Sequence, residues 1–580
     1  MVASAGGNPL FVEEYVRMLR DQAGQAELTL PETVGQVITA RLDTLDPADK
    51  ALLQDAAVLG ETGWVGGLAV LAGVDRTTAM AALLRLERRE LLRRSAGSTV
   101  DRDTEYSFRH GLVRDVAYGQ LPRARRADRH QRAASWIESL TPGRATEQTE
   151  LLAHHLSQAL TYARAAGLPT GDLRPRARAA LREAGDRARA LGGHVTAARF
   201  YEAALALEEP GDPDRAELLL RLGVARLRSD NSGLEVLEAA RDAFTAAGRA
   251  SDAAVAEVYM ISTVWRAGRT EEVRPRIERA LAMIAGEPPS RAKAEVLSMG
   301  ATMLRNLEED ERALAVAQEA VAIGKELGLA EFEGLALTTI GSLKGEVGDV
   351  SGVTDLRRAI ALLEKVHSGY HWFSLTHLGV VLCRTGDLPA CFEVAAEGRR
   401  ASERTGISDF DRRWSEIERA FEFYWTGRWA EAERIAGEVI ADAAAGTRHL
   451  LEDACHQIRG RIRLARGDTA GALADAEQSM ERAAETGDRQ ELDPARAFAA
   501  RALIEAGRPD DARQLLAALL VDHGGKPLFP ETAVDLPIAL ATLHGDDAVA
   551  LLDRAGFAPT RWEEAVRCWV TGERVGAAEI

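Results

Sequence analysis

Apolar residues recur along most of this chain three and four positions apart, the spacing of one helix face, and short polar turns interrupt them. The phrases "EVGDVSGV", "RTGDLPAC", "WTGRWAEA", "ARGDTAGA", "EAGRPDDA" and "LHGDDAVA" set turn glycines at Gly348, Gly386, Gly427, Gly467, Gly507 and Gly545. "RAGRTEEV" adds Gly268, and the same step puts Glu308, Asn231 and Gly193 at the remaining turns, with intervals of 37 to 41 residues. Five places after each turn stand Ala198, Val236, Val273, Ala313, Val353, Cys391, Ala432, Ala472, Ala512 and Ala550, all small or β-branched. A small side chain there lets two helix axes approach closely. The pattern predicts an all-α array of about ten helix–turn–helix units of about 40 residues over 185–580.

The first 184 residues follow a different pattern. In "GGNPLFVEEY" (6–15) a glycine pair leads to Asn8, a helix cap, and Pro9, suited to a first helical turn. Leu10, Phe11, Tyr15, Met18 and Leu19 then supply apolar positions. "LPETVGQVITARLDTL" (30–45) predicts a helix begun by Pro31, with Val34, Val37, Ile38, Leu42 and Leu45 as its stripe. A second helix over 46–60 has Asp46 as cap and Pro47 at its first position, and a third spans 74–95. "TEYSFRHGLVRDVAYGQL" (104–121) reads as a short strand turning helical. Three helices and a β-element predict a winged helix with a small β wing over 46–121, and 122–184 a helical connector.

Composition narrows the function classes. At 580 residues the chain exceeds one core; 46% hydrophobic and 28% charged residues are an ordinary balance, while 5% aromatic disfavours strands. The run "VGGLAVLAGV" (65–74) is too short to span a membrane, and Glu13, Glu14, Arg17 and Arg20 break any signal-like segment. Cys383, Cys391, Cys455 and Cys568 show no pairing motif, which fits buried thiols in the cytoplasm. A net charge of −17 argues against a nucleic-acid coat. The tract 85–132 is nevertheless basic, and Arg85, Arg88 and Arg89 would be the DNA contacts of a recognition helix; a solvated or packed face is the preferred reading. His154 and His155 are adjacent, so their helical directions differ by about 100° and no shared metal ion is expected. No nucleophile–base or paired-carboxylate arrangement stands out, so the chain is expected not to be an enzyme. Trp265, Trp372, Trp414, Trp425 and Trp429 read as core and ridge fillers.

The repeat resembles the tetratricopeptide repeat, in the elongated form of the maltose-regulon activator and related bacterial regulators. That resemblance implies a superhelix whose concave face takes a protein, a peptide or a small effector. "GGNPLFVEE", "LPETVGQVITARLDTL", "LLQDAAVLG" and "FRHGLVRDVAYGQLP" resemble, in that order, the end of a bacterial STAND signalling ATPase module of the AAA+ superfamily. Relatives of that kind carry class III adenylate/guanylate cyclase or transcription-factor domains. The resemblance implies that 1–45 is a helical lid remnant, that Gly7, Asn8 and Pro9 form a turn against a nucleotide's adenine, and that His110 senses nucleotide state. No GxxxxGK[ST] is present to cradle phosphates, "GGKPLF" (524–529) lacking the upstream glycine and the Ser/Thr. ATP and Mg are therefore expected of a complete parent protein, with the core missing or separately encoded, and no cofactor of this chain alone.

Overall fold

The computed structural model describes residues 16–17, 33–100, 102–140, 145–209, 211–267, 269–405, 408–486, 489–522, 528, 530–555 and 560–573. The chain divides into two compact units, one of Met1–Arg187 with Arg199–Gly211, the other of Ala188–Ala198 with Asp212–Ile580.

The first unit opens, among the described elements, with helix Val34–Asp43. Its cap is Thr33, whose hydroxyl accepts from Gln36 N–H while the Gln36 side chain accepts from Thr33 N–H. This reciprocal box marks the start of the described helix; Pro31, the expected start, lies outside the described residues. Helix Pro47–Leu59 begins on Asp46, which accepts from Ala48 N–H at 2.9 Å, as its sequence predicts. The apolar run expected only as a non-spanning segment is a helix, Val65–Ala72, ended by Gly73 in the left-handed region. The helix predicted over 74–95 is shorter, Arg76–Arg88, because the chain turns at Glu90 (φ 59°) into a strand.

Strands β1 (Thr62–Trp64), β2 (Leu92–Arg94) and β3 (Glu105–Phe108) form an antiparallel sheet in the order β1-β3-β2, with Thr62 opposite Ser107 and Leu92 opposite Phe108. The sheet and helix Gly111–Gly119 close over a core that includes Ile38, Leu53, Leu68, Leu83 and Val113. Helices Arg123–Ser139 and Ala145–Ala165 pack on each other, and Trp136 stands 5.4 Å from Trp64.

The second unit is built of helical hairpins, such as Ala330–Glu346 with Ser351–Lys365 and His371–Arg384 with Leu388–Thr405. Their turns fall where the period puts them. Asn231 and Glu308, which replace glycine in the pattern, hold φ of 58° and 59° beside Gly348, Gly386, Gly427, Gly467 and Gly507, all left-handed. At the first turn the left-handed residue is Gly192, one place before Gly193, and Gly268 lies outside the described residues. The small positions after the turns are mostly buried, Ala313, Ala432, Ala472 and Ala512 completely. Ala550 is an exception: a short 3₁₀ turn over Gly545–Asp547 shifts the register, so Ala548 is buried and Ala550 exposed. At the closest approach glycine is required, since a Cβ on Gly352 would lie 2.4 Å from Gly341 O, and one on Gly341 2.8 Å from Gly352 O. Apolar clusters run from one hairpin into the next, one extending from Ala254 to Ala359. Neighbour-to-neighbour burial of this kind is the physics of an α-solenoid. The architecture is therefore an all-α repeat superhelix preceded by a mainly helical unit with a small sheet.

Candidate functional site

The first helices of successive hairpins line the interior of the repeat array, and small polar residues zip them together. Thr302 Oγ1 lies 3.0 Å from Thr339 Oγ1, Thr338 Oγ1 2.6 Å from Ser374 Oγ, and Ser342 Oγ 3.1 Å from His377 Nδ1. Such short side chains satisfy one another and keep the helices close.

Beyond this zipper the interior opens into a cavity of about 320 Å³. Its wall includes a group of aromatic rings, with Trp265, Trp372, Trp414, Trp425, Phe373 and Phe410. Trp265 and Trp414 stand 6.4 Å apart by ring centroid, and Phe373 meets His377 edge-on at 4.4 Å. Of the tryptophans read from the sequence as core and ridge fillers, Trp265, Trp372 and Trp429 do pack into or against hairpin cores, and Trp265, Trp372, Trp414 and Trp425 also face the cavity.

Two contacts between distant hairpins bound the cavity. Helix Ala250–Arg266 ends on Arg266, which donates to Asp411 at 2.8 Å and to Ser408 Oγ at 3.2 Å and lies 4.8 Å over the Phe410 ring. Ser408 is the cap of helix Asp409–Trp425; it accepts from Asp411 N–H and donates to the Asp411 carboxylate. Helix Arg561–Val570 supplies the second contact. Trp562 Nε1 donates to Cys383 O at 2.6 Å, and its ring lies 5.6 Å from that of Trp425.

The exposed surface of the cavity is mostly apolar, but its wall also carries many polar and charged side chains, among them Arg266, Arg305, Arg384, Asp411, Glu422 and Asp453, several of them paired. Arg305 donates to Glu346 at 2.6 Å. Glu418 is different: it accepts from Trp414 Nε1 at 3.1 Å, and burial pushes its carboxyl up to about 7. Burial likewise raises Glu531, and it holds His377 well below the usual imidazole value, with Arg305 and Arg384 adding to the shift. Cys383 and Cys391 also line the wall; their mutual hydrogen bond, then burial, pushes the Cys383 thiol up. All four cysteines are free thiols, Cys391 and Cys455 buried and the other two half-buried.

The residues assigned to a nucleotide by resemblance are placed as follows. Gly7, Asn8 and Pro9 lie outside the described residues. His110 is the cap residue of helix Gly111–Gly119, its Nε2 3.5 Å from Arg17 Nη1, and Arg17 pairs with Glu90 at 2.9 Å. Most arginines of the basic tract are exposed, Arg88, Arg93, Arg94, Arg123 and Arg125 among them; the exposed Arg85 clasps Asp49 through two bonds of 2.6 and 2.8 Å, and the buried Arg129 pairs with Asp55 at 2.7 Å. His154 is exposed and His155 buried, as the divergence of adjacent helical positions implies, yet both reach the same neighbour. Their rings tilt toward His130 on the neighbouring helix, and the three can bring one ligand nitrogen each within 4.8 Å of the others. Among the described residues no single helix is long and apolar enough to cross a membrane.

Sequence reasoning missed the cavity because its wall comes from hairpins far apart in the chain. Its one local signal was the density of tryptophan between 265 and 429 in an aromatic-poor chain.

No protein-family model matches the chain, and no curated protein matches it significantly. Solved structures resemble it distantly. The APC/C hetero-tetramer Cut9–Hcn1 shares 11% identity over 98% of this chain and 94% of that one, with a TM-score of 0.43. A STAND protein with a tetratricopeptide repeat sensor, PH0952 from Pyrococcus horikoshii, shares 13% over 96% and 70%, with a TM-score of 0.34. A Rap protein complexed with competence and sporulation factor shares 14% over 71% and 94%, with a TM-score of 0.30.

Proposed function

We propose that the repeat array is a sensor domain that takes a small, mainly apolar or aromatic effector into its interior cavity. The observation that carries this reading is the half-open, tryptophan-lined space of about 320 Å³ whose exposed surface is mostly apolar. Its volume and lining are those of a small-molecule site rather than of a groove for an extended chain. Glu418 would orient the ligand, donating a hydrogen bond while protonated and accepting one when ionised. The reading is non-enzymatic.

On the same reading the effector biases a two-state rearrangement that a nucleotide-binding core, outside this chain, couples to ATP and Mg. The STAND-like phrases over 5–160 support this, as does His110 facing Arg17, which follows the glycine–asparagine–proline turn by eight residues.

Nile red, a neutral aromatic dye whose emission rises in apolar surroundings, tests the first step. Saturable one-site binding is expected. Val380 lines the cavity and is 39% exposed, so Val380→Trp fills the space without displacing core. The variant should keep its helical circular dichroism and lose dye binding. Equal binding by both proteins would refute the cavity as the site.

A further inference from the structure

The first unit holds a second, unrelated constellation. Helices Arg123–Ser139 and Ala145–Ala165 lie side by side and bring His130 against His154 and His155. The Nδ1 atoms of His130 and His155 are 2.9 Å apart. His130 is 2% exposed and His155 fully buried, while His154 opens to solvent. We propose that these three imidazoles bind one divalent transition-metal cation of the borderline class that favours nitrogen ligands, zinc in the first instance.

Two observations, beside the clustering of the three rings, carry the inference. Two ring nitrogens facing at 2.9 Å hold a single proton between two lone pairs, and a cation replacing that proton takes both. The displaced proton moves to the far nitrogen of its own ring, so the step is balanced without an added base. The far nitrogen of His130 faces Tyr118 Oη at 2.9 Å, the outer-shell partner that fixes a ligating imidazole's orientation. With the ion on Nδ1, His155 Nε2 carries the proton and has no hydrogen-bond partner, a buried N–H whose cost the two metal–nitrogen bonds must exceed.

Arg126 is the opposing charge. It lies 4.4 Å over the Tyr118 ring and donates to Gly119 O and Tyr162 Oη, which holds its guanidinium on the phenol side of the cluster. Three protein nitrogens leave a fourth tetrahedral position, and the exposed edge at His154 lets water fill it. Ligands from two helices make such an ion a staple across the pair.

The test is Co²⁺ titration of the full chain after chelator treatment, read by the visible d–d absorption of tetrahedral cobalt, with Zn²⁺ as competitor. One equivalent of Co²⁺ should bind and be displaced by Zn²⁺, and saturating Zn²⁺ should raise the melting temperature of the first unit. His154 is exposed, so His154→Gln leaves the core intact; it should weaken binding about tenfold or more, and His154→Cys should restore it. Absence of a saturable one-equivalent band, or a band of unchanged affinity in His154→Gln, would overturn the proposal.

Discussion

Glu418 shows how one residue turns a wall of indoles into a pH-dependent surface. Its carboxyl is held at about 7 in the folded chain against an ordinary value near 4.5, and burial is the first cause. For a raised acid, the stabilising contribution is complete below pH 4.5 and is lost as pH rises through 7, because the unfolded chain ionises first. Glu418→Gln should therefore flatten the decline in thermal stability between about pH 5 and 8. The variant should melt above the parent at pH 8, by differential scanning calorimetry, and near it at pH 4.5. A parallel decline in both proteins would mean that Glu418 is solvated. None of this was legible beforehand: Glu418 occupies an ordinary helical position in "RRWSEIERAFEFYW", and only the hairpins facing it remove its water. The capping residues were legible for the opposite reason. Asp46 and Pro47 act on their own helix, within two residues of themselves.

At the scale of the helical hairpin, backbone geometry dominates. Glu308 holds a left-handed φ of 59° at a turn where most other repeats use glycine, and its side chain is exposed. The left-handed region costs a non-glycine residue roughly 1–2 kcal/mol, part of which glycine gives back as chain entropy. Glu308→Gly should stabilise the array by about 1 kcal/mol or less, seen as a higher urea midpoint with an unchanged slope. Gly341→Ala should do the reverse, since the added methyl meets Gly352 O at 2.8 Å and Leu356 Cγ at 2.7 Å. Overpacking of this kind costs about 1–3 kcal/mol, and a midpoint equal to the parent's would show that the two helices can part without penalty. The turns at Asn231 and Glu308 were readable because the period identifies a turn even where the glycine is gone. Helix Val65–Ala72 was not, for it is apolar on nearly every side and has no stripe to read. The same limit applied to His130, whose partners lie 25 residues away on a second helix.

The repeat array as a whole departs from the one-dimensional behaviour expected of stacked repeats, in which each unit touches only its neighbours. Arg266 and Asp411 belong to hairpins separated by 142 residues at the accompanying Ser408 contact, and both side chains are largely buried, at 13% and 5% exposure. Their pairing ties two parts of the chain that would otherwise unfold independently, and it does so at the rim of the cavity. Asp411→Ala would leave the Arg266 guanidinium buried against Phe410 without its carboxylate, a loss of the kind that costs about 3–5 kcal/mol. Replacing both partners, Arg266→Met with Asp411→Leu, removes the orphaned charge along with the bond and should cost far less. Native-state hydrogen exchange reads the geometry of the effect. In Asp411→Ala, protection should fall together in Ala250–Arg266 and in Asp409–Trp425. A loss confined to Asp409–Trp425 would mean that the solenoid stays one-dimensional and the rim contact carries no coupling. Joint loss would explain how an effector of a few hundred cubic ångströms can stiffen an array of hairpins. The ligand would close a contact the chain already makes across its own interior, and so bias many repeats through one pair.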